Sequence, residues 1–521
     1  MSNYDTSVTL RYHRATNHSQ QSLSEGPHFL DWANHPIPYK IYPTLEPIPL
    51  PADFTPSAVS ALDAIASSSP AVPHEHLPDL QTLARLCFFS NGITKMLRLP
   101  SGEELAMRAA ACTGALYHIE LYLVCGDLPG LPAGVYHFGA HDNSLRRLRA
   151  GDFRQVLVKA TAAEASIAEA PIIVVCTSTF WRNAWKYRSR AYRHTFWDDG
   201  TILANLLAVA TAMNVPARVI LGFIDAQVNQ LLDIDPQREA AVNLVALGRT
   251  SQVPPEAPPV LPLHLPTVPL SRKEKEYPLI QEMSTASSLT TVEEVAAWRG
   301  LPPHPSFPSP TGPLIPLRPL DASALPNDPI ETVIRRRGST RRFAQEPISF
   351  EQLSTMLTRS MRGIPSDCLD PSGRSLSDLY LIVNAVDGLR QGTYVLHQEE
   401  QALELLREGN FRQEAGYLAL GQDLGADASV NIYFMVDLEP VLARFGNRGY
   451  RVAQLEAAMI AGKLYLAAYA LRLGATGLTF FDDDVTAFFS PHSAGKSVMF
   501  LITPGRPFKR GEERRRIVVG L

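Results

Sequence analysis

An excess of positive charge is missing: 48 Lys and Arg stand against 52 Asp and Glu, a formal net charge of −4. Proteins that coat nucleic acid carry a basic surplus, so that class is excluded. Long apolar runs are also lacking. None reaches the roughly 18–20 residues that cross a bilayer. Residues 1–9 are polar and hold no apolar signal core, so neither membrane insertion nor secretion is expected. Cysteine is scarce and unpaired in spacing: Cys87, Cys112, Cys125, Cys176 and Cys368. That pattern argues against a disulfide scaffold or a thiolate zinc site and suits a reducing cytoplasm. No metal is expected from His74-Glu75-His76 either, an i, i+2 spacing in a proline-flanked loop. What is present is ordinary globular material. Hydrophobic residues make up 45% of 521 positions, enough for two or three domains with sizeable cores.

Proline marks the organisation. Of 42 prolines, 18 fall in residues 251–329. Proline removes a donor and blocks helix interiors, so this stretch reads as an extended linker. It holds one short helix near 290–299, started by Thr290 or Thr291 with Glu293 and Glu294 in its first turn. A second proline-rich stretch, 36–56, closes an N-terminal extension of residues 1–56. The remaining segments, 57–250 and 330–521, read as two domains.

These two domains repeat each other. Leu121-Tyr122-Leu123-Val124 recurs as Leu379-Tyr380-Leu381-Ile382, and Gly134-Val135-Tyr136 as Gly392-Thr393-Tyr394. Gly151-Asp152-Phe153-Arg154-Gln155 recurs as Gly409-Asn410-Phe411-Arg412-Gln413, and Arg190-Ala191-Tyr192-Arg193 as Arg448-Gly449-Tyr450-Arg451. Every pair is 258 positions apart, so the sequence holds a duplicated domain of roughly 190 residues, not a short-repeat solenoid. Each copy predicts a helix (80–89; 350–358), a strand (120–125; 378–384) and a Gly-Xaa-Tyr hairpin strand. A further strand follows (172–177; 431–437), then a long apolar helix (202–213; 455–471) and a last strand (243–247; 497–502). The mixture is α+β. A helix apolar nearly all round is buried on every side. In domains this small, that predicts that the two copies pack through these helices, like a fused homodimer with an internal pseudo-two-fold axis.

Arg335-Arg336-Arg337-Gly338-Ser339-Thr340-Arg341-Arg342-Phe343 concentrates five guanidinium groups, the pattern of a phosphate-binding cluster. Arg337-Xaa-Ser339-Xaa-Arg341 near the start of an α+β domain resembles the flavin-phosphate motif of the nitroreductase superfamily. Several stretches are similar to the SagB-type (McbC-like) dehydrogenases within it. They are Tyr12-His13 through Trp32-Ala33, Gly114-Ala115-Leu116-Tyr117-His118, Leu131-Pro132-Ala133-Gly134-Val135-Tyr136-His137, and Lys186-Tyr187-Arg188-Ser189-Arg190-Ala191-Tyr192-Arg193. The resemblance implies tandem nitroreductase-like domains forming an intramolecular pseudo-dimer, with FMN held at the interface. It also implies oxidation of azoline-type rings, as in members that make azoles from peptide thiazolines and oxazolines.

In that family each flavin is held by both halves, and the sequence divides accordingly. Copy two carries Arg337, Ser339, Arg341, the ring-contacting stretch Gly477-Leu478-Thr479-Phe480, and Arg506. Copy one carries the loop Cys112-Thr113-Gly114 and the catalytic pair Lys186-Tyr187. The opposite combination lacks its parts: Ser67-Ser68-Ser69-Pro70 replaces the arginines, and Arg444-Phe445 replaces the Lys-Tyr pair. One FMN per chain is expected, the second site staying empty. Hydride transfer to flavin N5 leaves a proton for a base. Tyr187 or Lys186 is the candidate, with the ammonium lowering the phenol pKa.

Two departures put the substrate in doubt. Asp198-Asp199-Gly200-Thr201 lacks the histidine common in relatives, and Ala111-Cys112-Thr113-Gly114 differs from the usual Pro-Ser loop. Asp198, Asp199, Trp181, Trp185 and Trp197 are candidates for a substrate pocket, or for interface packing and a helix N-cap. The function expected is an FMN-dependent dehydrogenase of an azoline-like or amino-acid-derived, peptide- or carrier-borne substrate in natural-product biosynthesis. A cyclodehydratase or carrier protein is its expected partner. An NAD(P)H-dependent nitro or quinone reductase and a non-catalytic scaffold stay open as alternatives.

Overall fold

The computed structural model describes residues 2–25, 28–66, 75–98, 102, 104–303, 309–370 and 373–508. Ser67-Ser68-Ser69-Pro70 and His74 fall outside them. Two seven-stranded antiparallel sheets form the core, with the same strand order in each copy. The first runs Pro47–Pro49, Ser144–Ala150, Gly134–Gly139, Ile119–Cys125, Ile172–Thr179, Glu239–Leu247, Ala217–Ile220. The second runs Leu314–Pro316, Ala402–Glu408, Gly392–His397, Asp378–Val383, Val430–Val436, Ser497–Gly505, Gly474–Gly477. The central strands are buried along their whole length, as continuous β-branched and apolar runs require.

The edge strands Pro47–Pro49 and Leu314–Pro316 lie outside the segments read as domains, as do two matching helices, Ser7–Ala15 and Pro278–Ala286. The repeat is therefore longer than the sequence suggested. The stretch read as an extended linker carries Pro278–Ala286, Val292–Trp298 and an edge strand. Thr291 does cap Val292–Trp298, its hydroxyl accepting from the Glu294 amide.

Two long helices, Ala191–Ala212 and Arg448–Ala470, pack against each other and form the seam between copies. They begin 11 and 7 residues earlier than the apolar stretches at 202 and 455 suggested. Gly200 lies against Ala458, and Gly462 against Ala204, so closely that an added Cβ would sit 2.5 and 2.6 Å from the opposing methyl carbons. Small residues thus set the helix separation. Trp197 crosses the seam to donate to Gln454 (2.6 Å).

The early turns of both helices are charged yet buried, because each is answered by the other copy. Arg190 and Arg193 bind Asp482 (2.9 and 2.5 Å), while Arg448 and Arg451 bind Asp225 (2.6 and 2.9 Å). The two N-terminal helices complete the arrangement. Arg193 donates to the Thr16 hydroxyl and His13 carbonyl, and Arg451 to the Ser287 hydroxyl and Ser284 carbonyl. These are isologous contacts, as a two-fold interface demands.

Burial alone would raise the Asp482 carboxyl, but Arg190 and Arg193 pull it down to about 2. A carboxyl depressed by folding adds stability above its unfolded pKa of about 4, and that stability is lost as pH falls towards 2. Removing one partner strands the buried guanidinium groups. Asp482→Ala should therefore lower stability by about 3–5 kcal/mol in denaturant titration at pH 7. The variant's penalty should shrink as pH falls from 4 towards 2; a penalty under 1 kcal/mol at pH 7 contradicts the clamp.

Candidate functional site

The arginine cluster does not act as a block. Arg335 stacks over Phe88 and Phe89 (5.1 Å to each centroid). Arg336 pairs with Asp328 (3.0 Å), and Arg342 covers Phe508 (5.0 Å). Arg337 turns across the seam and donates to copy one's backbone, to the Ala109 carbonyl (2.9 and 3.2 Å) and the Arg108 carbonyl (3.1 Å). Arg341 is exposed and lies close enough to Lys186 and Tyr187 to bias the protonation of both. Ser339 Oγ lies 3.5 Å from the Tyr465 hydroxyl, which also accepts from the Gly477 amide. Tyr465 thereby ties the Ser339 segment to the stretch 477–480. In that stretch the Thr479 hydroxyl is buried with no protein partner, and Phe480 is fully buried. Arg506 stands apart: its guanidinium donates to the Pro347 carbonyl (2.8 Å) at an exposed position.

Copy one supplies the other wall. The helix Phe180–Tyr187 ends on Lys186 and Tyr187, both half-buried, with the ammonium 5.3 Å from the phenol centroid. Gly114 has φ +67°, and a Cβ there would fall 2.8 Å from the Tyr187 hydroxyl. Only glycine suits this left-handed residue in contact with the phenol. The expectation that Lys186 lowers the Tyr187 pKa is reversed. Burial pushes the phenol up, Asp198 and Cys112 push it further, and Arg341 offsets only part of this. Burial and then Arg341 instead push the Lys186 ammonium down. These shifts favour the neutral amine on Lys186 and keep the Tyr187 phenol protonated.

Asp198 and Asp199 lie inside the helix Ala191–Ala212, so neither is an N-cap. Asp198 accepts from the Thr113 amide (2.8 Å) and hydroxyl (2.6 Å), from the Cys112 thiol (2.9 Å), and contacts His118 Nε2 (3.0 Å). Asp199 is buried and accepts from Asn243. Trp181 and Trp185 pack with Leu116 and Leu270, and donate to Ser271 (2.8 Å) and the Asp31 carbonyl (3.1 Å). His194 packs edge-on to Tyr187 with centroids 4.5 Å apart.

The opposite half of the seam is closed by the protein itself. Phe445 stands 258 positions after Tyr187. Gly222, two residues past the strand Ala217–Ile220, matches Thr479, two past Gly474–Gly477. Between Phe445 and Gly222 sits the fully buried indole of Trp298. It lies 5.0 Å from the Phe445 ring, donates to the Phe445 carbonyl (2.9 Å) and packs on Gly222. Beside it, the buried Asp367 carboxylate accepts from the Leu221 and Gly222 amides (2.9 Å each). Trp298 and Asp367 thus occupy the space that matches the one beside Tyr187 and Thr479 in the other half. Sequence reasoning missed Trp298, Asp367, His194 and Tyr465. Asp198 carried one usable signal: an acid, Glu456, recurs 258 positions later.

Comparison with known proteins agrees with this two-copy arrangement. The family model described as the nitroreductase family matches residues 69–249 and 334–501. A solved structure from Anabaena variabilis, named as a nitroreductase, is 28% identical. It aligns over 96% of this chain and 99% of its own with a TM-score of 0.78. A Methanocaldococcus jannaschii protein, also named as a nitroreductase, is 24% identical over 33% of this chain and 80% of its own length. A Desulfovibrio desulfuricans structure, described as a nitroreductase in complex with FMN, is 21% identical. It covers 37% of this chain and 93% of its own at a TM-score of 0.24.

The proximity of Arg341 to Lys186 has a direct chemical readout. A lysine whose pKa is lowered carries more free amine at pH 8 and acylates faster than ordinary lysines. Arg341→Ala removes the neighbouring cation, raises the Lys186 pKa and should slow its acylation several-fold, followed by peptide mass spectrometry. Equal Lys186 rates in wild type and variant contradict the arrangement.

Proposed function

The chain belongs to the nitroreductase family, and from that premise we propose that it is an FMN-dependent dehydrogenase with one flavin per chain. The observation that carries this reading is where copy two meets copy one: Arg337 donates to the Arg108 and Ala109 carbonyls just before the Cys112-Thr113-Gly114 loop, and Arg341 lies close enough to Lys186 and Tyr187 to bias both. The residues present suit the cofactor. Arg341 offers an exposed guanidinium for the phosphate. The Thr479 hydroxyl is a buried hydrogen-bonding group without a protein partner, and Gly114 leaves room where a side chain would intrude. Ser339 stands beside the Tyr465 hydroxyl, and Phe480 backs the stretch from within, packed on Trp197. Arg506 joins this set only through the segment it braces at Pro347. Single occupancy is supported by Trp298, which takes up the matching space in the other half.

When bound, FMN supplies the two-electron acceptor. The protein supplies the proton chemistry. Lys186, lowered by burial and by Arg341, takes the proton from the substrate atom next to the carbon that loses hydride. Tyr187 stays protonated and donates a hydrogen bond to the substrate or to charge developing beside it. The half-buried setting limits water around both groups. The substrate class we assign is an azoline-like or amino-acid-derived ring, borne by a peptide or carrier, in natural-product biosynthesis with a cyclodehydratase or carrier protein as partner. Five unpaired thiols suit a reducing cytoplasm, and no helix among the described residues is long and apolar enough to cross a membrane.

Reconstitution tests the reading. The protein should turn yellow and hold one FMN per chain by absorbance against protein concentration. Arg341→Ala should weaken retention about tenfold or more, the loss of one charge-assisted contact. Tyr187→Phe should keep the flavin and lose at least tenfold in oxidation of an azoline peptide under oxygen. A protein that no added FMN colours would be a scaffold. Rapid bleaching by NADPH, with Tyr187→Phe as active as wild type, would make it a nitro or quinone reductase.

A further inference from the structure

We propose that Asp198 is a positioning residue: its carboxylate clamps the 112–114 loop so that Gly114 meets the Tyr187 hydroxyl, and loss of its charge releases both the loop and the Cys112 thiol. The geometry is that of a clamp. One carboxylate oxygen receives the Thr113 amide and hydroxyl (2.8 and 2.6 Å), and the other receives the Cys112 thiol (2.9 Å) and faces His118 Nε2 (3.0 Å). Cys112 is held from its other side by the Tyr117 amide (3.0 Å). Asp198 is 4% exposed and sits in the middle of a seam helix, so the rigid seam itself fixes the loop. Arg337 steadies the same segment from copy two through the Arg108 and Ala109 carbonyls.

The duplication supplies an internal comparison. Glu456, 258 positions on, occupies the matching turn of the other seam helix. Its carboxylate receives the Leu376 and Ser377 amides (3.0 and 3.2 Å) and the Ser375 hydroxyl (3.0 Å). An acid projecting from a seam helix onto the loop of its own copy therefore serves both halves. In copy one that loop meets the Tyr187 phenol, where copy two carries Phe445 258 positions on.

Cys112 reports on the clamp without any cofactor. Among the five thiols it alone is partly exposed; the other four are buried. The ionisable groups facing it are Asp198 from the seam helix, Arg108 from the preceding strand end, and Tyr117 and Tyr187. Burial raises the thiol first and Asp198 adds to this. Removing the negative charge should increase the thiolate fraction, which sets the alkylation rate.

The experiment measures iodoacetamide labelling of Cys112 in the full-length protein across pH 6–10, resolved by peptide mass spectrometry. Asp198→Asn should label about tenfold faster at pH 8, the effect of one pKa unit. Asp198→Glu, the side chain that copy two uses, should label as slowly as wild type. Equal rates and equal pH dependence in Asp198→Asn and wild type overturn the proposal, as does an Asp198→Glu protein as fast as Asp198→Asn. Should Asp198→Asn not fold, Thr113→Ala, which removes the hydroxyl bond to Asp198 (2.6 Å), takes its place. Faster Cys112 labelling than wild type supports the clamp, and equal rates refute it. The consequence for the cofactor rests on the proposed flavin reading: Asp198→Asn should bind FMN about tenfold more weakly. If even the wild type takes up no FMN, that reading fails while the thiol measurement still judges the clamp.

Discussion

Two buried carboxylates hold the molecule in the form its chemistry needs. Asp482 meets Arg190 and Arg193, and Asp225 meets Arg448 and Arg451, each acid reaching from one copy to the seam helix of the other. Charges removed from water must be paired in good geometry or they destabilise the fold. Here the pairing can be satisfied only when the helices Ala191–Ala212 and Arg448–Ala470 lie in register. That register brings Gly200 onto Ala458 and Ala204 onto Gly462. It also packs Phe480 of copy two on Trp197 and Arg190 of copy one, and carries Arg337 of copy two onto the Arg108 and Ala109 carbonyls that precede the 112–114 loop. The proposed site thus draws on both copies, Arg337 and Arg341 from one and Lys186-Tyr187 from the other.

A two-fold interface generates two such places, and the chain has treated them differently. One carries polar and charged groups: Arg341 close to Lys186 and the Tyr187 phenol, and a buried Thr479 hydroxyl without a protein partner. In the other, a planar two-ring side chain, Trp298, is wedged between Phe445 and Gly222. A carboxylate, Asp367, accepts the two amides beside it. Aromatic and acidic protein groups fill the seam there, so the backbone donors are satisfied and the core stays packed without a ligand. Duplication within one chain permits this division of labour, because the halves can change separately while the ion-paired helices keep them aligned.

How far the sequence reveals this depends on whether a feature is local. The 258-residue offset exposed the repeat, and with it the paired sheets, because strands are continuous apolar runs. The complementary sets Arg337-Ser339-Arg341 and Lys186-Tyr187 could also be separated by copy. The first turns of the seam helices were invisible. Arg190, Arg193, Arg448 and Arg451 look like solvent-facing charges until their partners, hundreds of positions away, are placed. The matching helices Ser7–Ala15 and Pro278–Ala286 share little sequence, since what they supply is mainly backbone carbonyls and one hydroxyl each, which many residues can present. The arginine cluster misled for the reverse reason. Its local density suggested one anion site, whereas the fold sends Arg335 and Arg342 onto aromatic faces and Arg336 onto Asp328. The sense of the Tyr187 shift likewise comes from burial and then Asp198, not from its sequence neighbour Lys186.

The account turns on where a flavin would lie, and a crystal structure of the FMN-loaded full-length protein measures that directly. It should show one flavin, with its phosphate at Arg341 and its ring between Thr479 and Tyr187, and Trp298 unmoved in the other half. Flavin in place of Trp298, or bound away from the seam, would contradict it.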